Sequence, residues 1–148
     1  MRLRILLVMD PLLPVPPRYY GGIERIVAEM AGALGRRGHE VTVWAAPGSR
    51  VAGALEPFGR EGEWNRWSNA RNVAALTARF WRRPGRFHVV HNFGRLAYLL
   101  GVLRAELPKV QTYMRPVNAR NNGPDSRENL IGASQPAGML PRITASAA

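Results

Sequence analysis

The fold is decided by three consecutive stretches: LRILLVMD (Leu3–Asp10), GIERIVAEMAGALGRRG (Gly22–Gly38) and HEVTVWA (His39–Ala45). The first is a short, nearly continuous apolar run stopped by Asp10-Pro11, the pattern of a parallel strand covered on both faces. The second has helical period, with Ile23, Ile26, Val27, Met30 and Leu34 on one face and Glu24, Arg25 and Glu29 elsewhere. Arg36 and Arg37 stand in its last turn, where cations suit the helix dipole, and Gly38 supplies a left-handed cap. The third is a β-branched and aromatic run broken by Pro47-Gly48. Strand, helix, strand in this order is a βαβ unit.

Working outward, Pro11, Pro14, Pro16 and Pro17 exclude regular structure between strand and helix and make a stiff loop. Residues 48–67 show no sustained period and read as loop with a short helix near Ala52–Glu56. Asn69–Arg83 recovers helical spacing through Val73, Leu76, Phe80 and Trp81, ended by Pro84-Gly85. Phe87–His91 reads as a strand, Leu96, Leu99, Leu100 and Leu103 as a helix, and Val110–Met114 as a last strand. This alternation predicts an α/β fold, a doubly wound, mainly parallel Rossmann-like sheet over residues 1–116. Residues 117–148, with Asn121-Asn122-Gly123-Pro124, Pro136 and Pro141, show no periodic apolar face and predict an irregular, poorly ordered tail.

A chain of 148 residues with 46% hydrophobic and 21% charged residues is an ordinary globular chain and too short for two full domains. The net charge of +11 raises nucleic-acid and anionic-membrane readings. The arginines are scattered from Arg2 to Arg142 without interleaved aromatics, which favours a solvated basic surface over a nucleic-acid site and leaves room for peripheral membrane contact at most. The absence of cysteine excludes disulfides, thiolate metal sites and cysteine nucleophiles. The N-terminal apolar run is cut by Asp10 and is no signal peptide, and the expected location is cytoplasmic, including the inner face of the membrane. Three histidines offer no helical metal pair; His88 and His91, three apart on a strand, point to opposite faces, so no metal site is expected.

Ligands of a doubly wound sheet bind beyond the carboxyl ends of its strands. That rule selects the loop after the first strand, His91 and Asn92 after the third, and Tyr113–Arg115 after the fourth. Gly21 and Gly22 open a helix whose free N–H groups favour an anion, and they would admit a phosphate or sugar hydroxyl close to the backbone. Their alternative is a tight corner with no ligand. Neither a dinucleotide fingerprint nor a P-loop is present.

The prolyl loop, Tyr20-Gly21-Gly22-Ile23-Glu24-Arg25-Ile26-Val27, Arg37-Gly38-His39-Glu40-Val41 and Phe87-His88-Val89-Val90-His91-Asn92 together resemble the opening of a glycogen-synthase-like GT-B glycosyltransferase of family 4. The resemblance covers about residues 1–114, and nothing family-like follows Val117. It implies the acceptor-side domain of an enzyme that moves a sugar from a nucleotide-diphosphate donor to a sugar or glycolipid acceptor with retention. It implies no cofactor beyond the nucleotide-sugar co-substrate. In such enzymes a second Rossmann-like domain supplies the basic residue and paired glutamates that hold the donor; none of these is found here, so the chain alone is expected to be inactive, with a separately encoded second domain as one partner. The resemblance assigns Gly21 and Gly22 to the donor phosphate and transferred sugar, and makes Arg18, Tyr19, Tyr20, His91 and Asn92 contact candidates. The family's histidine after the strand at Val110-Gln111-Thr112 is replaced by Tyr113, Met114 and Arg115, so no catalytic residue is assigned. His39 and Glu40 lie on the opposite edge and read as structural. The competing reading is a stand-alone Rossmann-like module binding a small anion or a partner domain.

Overall fold

A computed structural model describes residues 1–63 and 65–114; the tail expected over 117–148 lies outside the described residues. The elements are β1 (Arg4–Val8), α1 (Gly22–Arg36), β2 (Glu40–Ala45), β3 (Ala54–Pro57), α2 (Arg66–Trp81), β4 (Val89–Asn92), α3 (Ala97–Leu100) and β5 (Lys109–Gln111). They build one five-stranded sheet in the order β3-β2-β1-β4-β5. Every pairing is parallel. The chain winds outward from β1 to β3, returns to the other side of β1 and continues to β5, so the topological switch point lies between β1 and β4.

Both faces of the sheet are covered, as the continuous apolar strands require. Along β1, Leu6 and Val8 join the core beneath α2 and α3 with Trp44, Leu76, Phe80, Phe87, Val90 and Tyr98. Ile5 and Leu7 face the other way, into the core that Val27 and Ala31 of α1 complete. Strand alternation thus splits one apolar run between two cores.

α1 ends in a full Schellman motif: His39 N–H donates to Leu34 C=O and Gly38 N–H to Gly35 C=O, with Gly38 at φ 85°. Of its expected apolar face Ile23, Val27, Met30 and Leu34 meet the core; Ile26 is instead exposed, and Glu24, expected elsewhere, is buried beside Val27 and Ala31.

Three further expectations are corrected. The short helix near Ala52–Glu56 is instead the edge strand β3, paired with β2 from Thr42 to Ala45. Four residues are too few to display a period, and the close approach that lets Gly53 in, where a Cβ would lie 2.5 Å from Val41 O, leaves no periodic signal. The helix through Leu96, Leu99, Leu100 and Leu103 is reduced to Ala97–Leu100 and continues as turns. Its core contacts are Tyr98, Leu99 and Val102, while Leu96, Leu100 and Leu103 are exposed; a Cβ on Gly101 would overlap the Thr77 side chain, so the turn after α3 lies close against α2. The last strand is shifted to Lys109–Gln111. α2, by contrast, starts earlier than its apolar period, because Asn65 and Ser68 form a reciprocal capping box.

Candidate functional site

The β1 loop and the β4 turn meet at the switch point, the place where an open α/β sheet receives ligands. Asp10 follows β1 directly. Its Oδ1 accepts a hydrogen bond from Tyr98 Oη at 2.9 Å and lies 3.4 Å from Arg95 Nε. Arg95 in turn bonds Asn69 at the start of α2. Gly94 closes the contact, since a Cβ there would sit 3.0 Å from Asp10 N. Burial first, and the Asp10 carboxylate second, hold the Tyr98 hydroxyl well above its usual pKa, so it stays a donor. This network pins the ligand-side ends of β1, β4 and α2 together.

The two glycines of the α1 mouth do different things. Gly21 is buried, and a Cβ on it would lie 2.7 Å from Glu24 Oε2 and 2.8 Å from the Pro17 ring. It is glycine because the prolyl loop and the Glu24 carboxylate close around it. Gly22 is exposed, and a Cβ on it would meet nothing within 4 Å. Space for a ligand to approach the backbone therefore exists at Gly22. Glu24 sits in the first turn of α1, where a carboxylate suits the helix dipole. Arg18, Tyr19 and Tyr20 are exposed on the loop before the helix, and Arg25 Nη2 donates to Tyr19 O at 2.9 Å, which ties that loop to α1.

His91 and Asn92 end β4 and are separated by strand alternation. His91 stacks on Phe93 at 4.1 Å, on the sheet face that α1 covers. Its Nε2 lies 2.7 Å from Thr112 Oγ1, a hydrogen bond whose direction follows the tautomer. Asn92 is 0% exposed. Its Nδ2 donates to Arg95 O at 2.8 Å and Gln111 Oε1 at 2.6 Å, and its Oδ1 accepts from Gly94 N–H at 3.2 Å. In this structure the Asn92 amide holds the β4 turn and is not offered to a ligand. The sequence missed Asp10, Arg95 and Tyr98; an aspartate closing an apolar first strand was the available signal.

On the far edge, His39 Nδ1 accepts from Leu3 N–H at 3.4 Å and Glu40 pairs with Arg2 at 3.0 Å, so these residues are structural. Among the described residues no group of three His, Cys, Asp or Glu side chains could hold a metal ion, and no helix is long and apolar enough to cross a membrane.

Burial pushes the His91 imidazole below the ordinary histidine value of 6.5. The fold thus favours the neutral ring. As pH falls, the unfolded chain takes up a proton first, so the stability tied to neutral His91 is intact above 6.5, begins to fail below it and is gone under the folded pKa. NMR titration should place His91 below 6.5, and His91→Gln should flatten the stability loss between neutral and mildly acidic pH. An unchanged slope would remove His91 as the cause.

A five-stranded parallel sheet with helices on both faces and a glycine-opened helix mouth beside its switch point defines a Rossmann-like α/β domain. The family model for Glycosyltransferase Family 4 matches residues 20–127, and the chain belongs to that family. The match runs past Val117, where the resemblance read from the sequence stops. No curated protein gives a significant match. Among solved structures the chain is similar to AviGT4, a glycosyltransferase involved in avilamycin A biosynthesis, with 28% identity and a TM-score of 0.48. That similarity covers 78% of this chain and 34% of the other, so the chain spans about a third of the length of its structural relative.

Proposed function

We propose that this domain forms the acceptor-side wall of a GT-B cleft, in which a sugar passes from a nucleotide-diphosphate donor to a sugar or glycolipid acceptor with retention. One observation carries the reading: the open backbone at Gly22 sits at the mouth of α1, on the ligand-side edge where the β1 loop and the β4 turn converge. On this reading the free N–H groups of the first turn face the donor diphosphate or the transferred sugar. Gly21 shapes the mouth, Arg18 and Tyr20 contact phosphate or acceptor, and His91 lines the α1 side. Asn92 acts one step back, by holding the turn. The edge is one wall only, and stabilising the leaving diphosphate takes donors on both sides of it, so these 148 residues alone should turn over no nucleotide-sugar.

Titration of the chain with a nucleoside diphosphate, followed through its backbone amides, tests the assignment. The shifts should concentrate at residues 20–25, and Gly22→Val should remove them while leaving the fold intact. Shifts elsewhere would refute the site. Sugar transfer or donor hydrolysis by the purified chain would refute the dependence on a second wall.

A further inference from the structure

The prolyl loop between β1 and α1 is stiff in itself, but its place is set from outside. Pro14, Pro16 and Pro17 have no N–H, so Val15 carries the one backbone donor of residues 14–17. Val15 is 0% exposed, in the core that Val27 and Ala31 of α1 complete. A buried N–H left without an acceptor is costly. Here the acceptor is a side chain: Val15 N–H donates to Ser49 Oγ at 2.9 Å, and the Ser49 hydroxyl donates in turn to Ala46 O at 2.7 Å. The next residue adds its backbone, Arg50 N–H donating to Val15 O at 2.6 Å. Both polar groups of Val15 are thus met by the turn that follows β2, where Ser49 is itself buried. The first half of the loop is tied separately. Gly62 N–H donates to Leu12 O at 3.1 Å, and a Cβ on Gly59 would lie 2.5 Å from the Pro11 ring.

What this anchoring leaves outside is short. Pro17 is buried, and its ring occupies the space that a Cβ on Gly21 would need, so loop and helix mouth close on each other at these two residues. Between them Arg18, Tyr19 and Tyr20 stand exposed as a three-residue tip, tied to α1 where Arg25 Nη2 donates to Tyr19 O. β1 and β2 are parallel neighbours, so the loops that leave their carboxyl ends meet on the ligand-side edge.

We propose that Ser49 is a positioning residue for the tip at residues 18–20. Its hydroxyl fixes Val15, and Pro16 and Pro17, with φ locked by their rings, carry that constraint to the tip beside the α1 mouth. Ser49 touches no ligand in this role; it lowers the ordering cost of binding by holding the tip in place beforehand. That role rests on the proposed function in one respect, an anionic ligand at Gly22. Removing the hydroxyl strands the buried Val15 N–H and frees the second half of the loop to shift as a unit.

The test compares Ser49→Ala with Phe80→Leu, which loosens the other core at the far end of α2 and controls for lost stability. Unfolding midpoints confirm that both full chains fold. Each is titrated with uridine diphosphate and with guanosine diphosphate, and backbone order parameters are measured on the free chains. Ser49→Ala should bind roughly threefold to tenfold more weakly than Phe80→Leu, with its shifts still at residues 20–25. The order parameters of Arg18, Tyr19 and Tyr20 should fall in Ser49→Ala and stay at wild-type values in Phe80→Leu. Equal binding by the two variants would overturn the proposal, as would unchanged order parameters in the tip. Failure of the wild-type chain to bind either nucleotide would refute the function proposed above and leave Ser49 to the order parameters alone: lowered values uphold its hold on the tip, and unchanged values sink it.

Discussion

Trp44→Ala is expected to cost about 3–5 kcal/mol of folding free energy, the range for deleting a large buried aromatic. Trp44 is 2% exposed in the middle of the core beneath α2. Its ring meets Phe87 edge-on at 6.0 Å, and the Arg79 guanidinium lies 5.6 Å from its centroid. Truncation empties that volume and also strips a donor, because the indole N–H bonds Glu56 Oε2 at 2.9 Å. Burial works to raise the Glu56 carboxyl, but the Arg86 hydrogen bond and charge, with Trp44 and Arg79 behind them, outweigh it and leave the pKa below the ordinary value. Arg86, 2.5 Å from Glu56, is untouched by the truncation and should keep the carboxylate paired, so most of the loss is expected to be packing. Against a total stability of about 5–15 kcal/mol for a domain, this is a large fraction. The thermal midpoint should fall by roughly 15 °C, and Trp44→Phe should recover about half of the loss. A measured cost under about 1 kcal/mol would mean that this core collapses around the gap.

How much of this could be read beforehand depends on the length of each signal. β1, α1 and β2 announce themselves because five to fifteen residues sustain one pattern, an unbroken apolar or β-branched run for the strands and a helical period for α1, and the Gly38 cap is readable because a Schellman turn asks for a residue with φ > 0. β3 is four residues of edge strand and has no period to find. The α3 region misleads because Leu96, Leu100 and Leu103, spaced as a helix face with Leu99, turn outward, while Tyr98, Leu99 and Val102 take the core. At the site, Gly21 and Gly22 were legible as a helix mouth, but not the difference between them: that depends on Pro17 and Glu24 arriving from either side. His91 and Asn92 were legible as strand-end residues, and only the pleat shows that they point to opposite faces. Asp10, Arg95 and Tyr98 were illegible as a set, since their meeting is created by the crossover that places β4 beside β1.

That set yields the second large effect. Asp10→Ala should destabilise the domain by about 2–4 kcal/mol, below the full cost of breaking a buried ion pair because Asn69 and Asn72 remain to share the load. The carboxylate is mostly buried, at 15% exposed against 19% for Arg95, so its loss takes away both a charge partner and the acceptor of the Tyr98 hydroxyl where water replaces neither well. Asp10→Asn keeps an acceptor oxygen and should cost less, and the difference isolates the charge. A double-mutant cycle with Tyr98→Phe should return a coupling of about 1–2 kcal/mol for the direct hydrogen bond. The position makes the effect local as well as global: Gly94 rests on the Asp10 backbone, so amide exchange at Gly94 and Arg95 should accelerate in Asp10→Ala beyond what the drop in global stability accounts for. If those amides exchange only through global unfolding, the aspartate stabilises the core without fixing the ligand edge, and the preorganisation assigned to the switch point would have to come from the Asn92 turn alone.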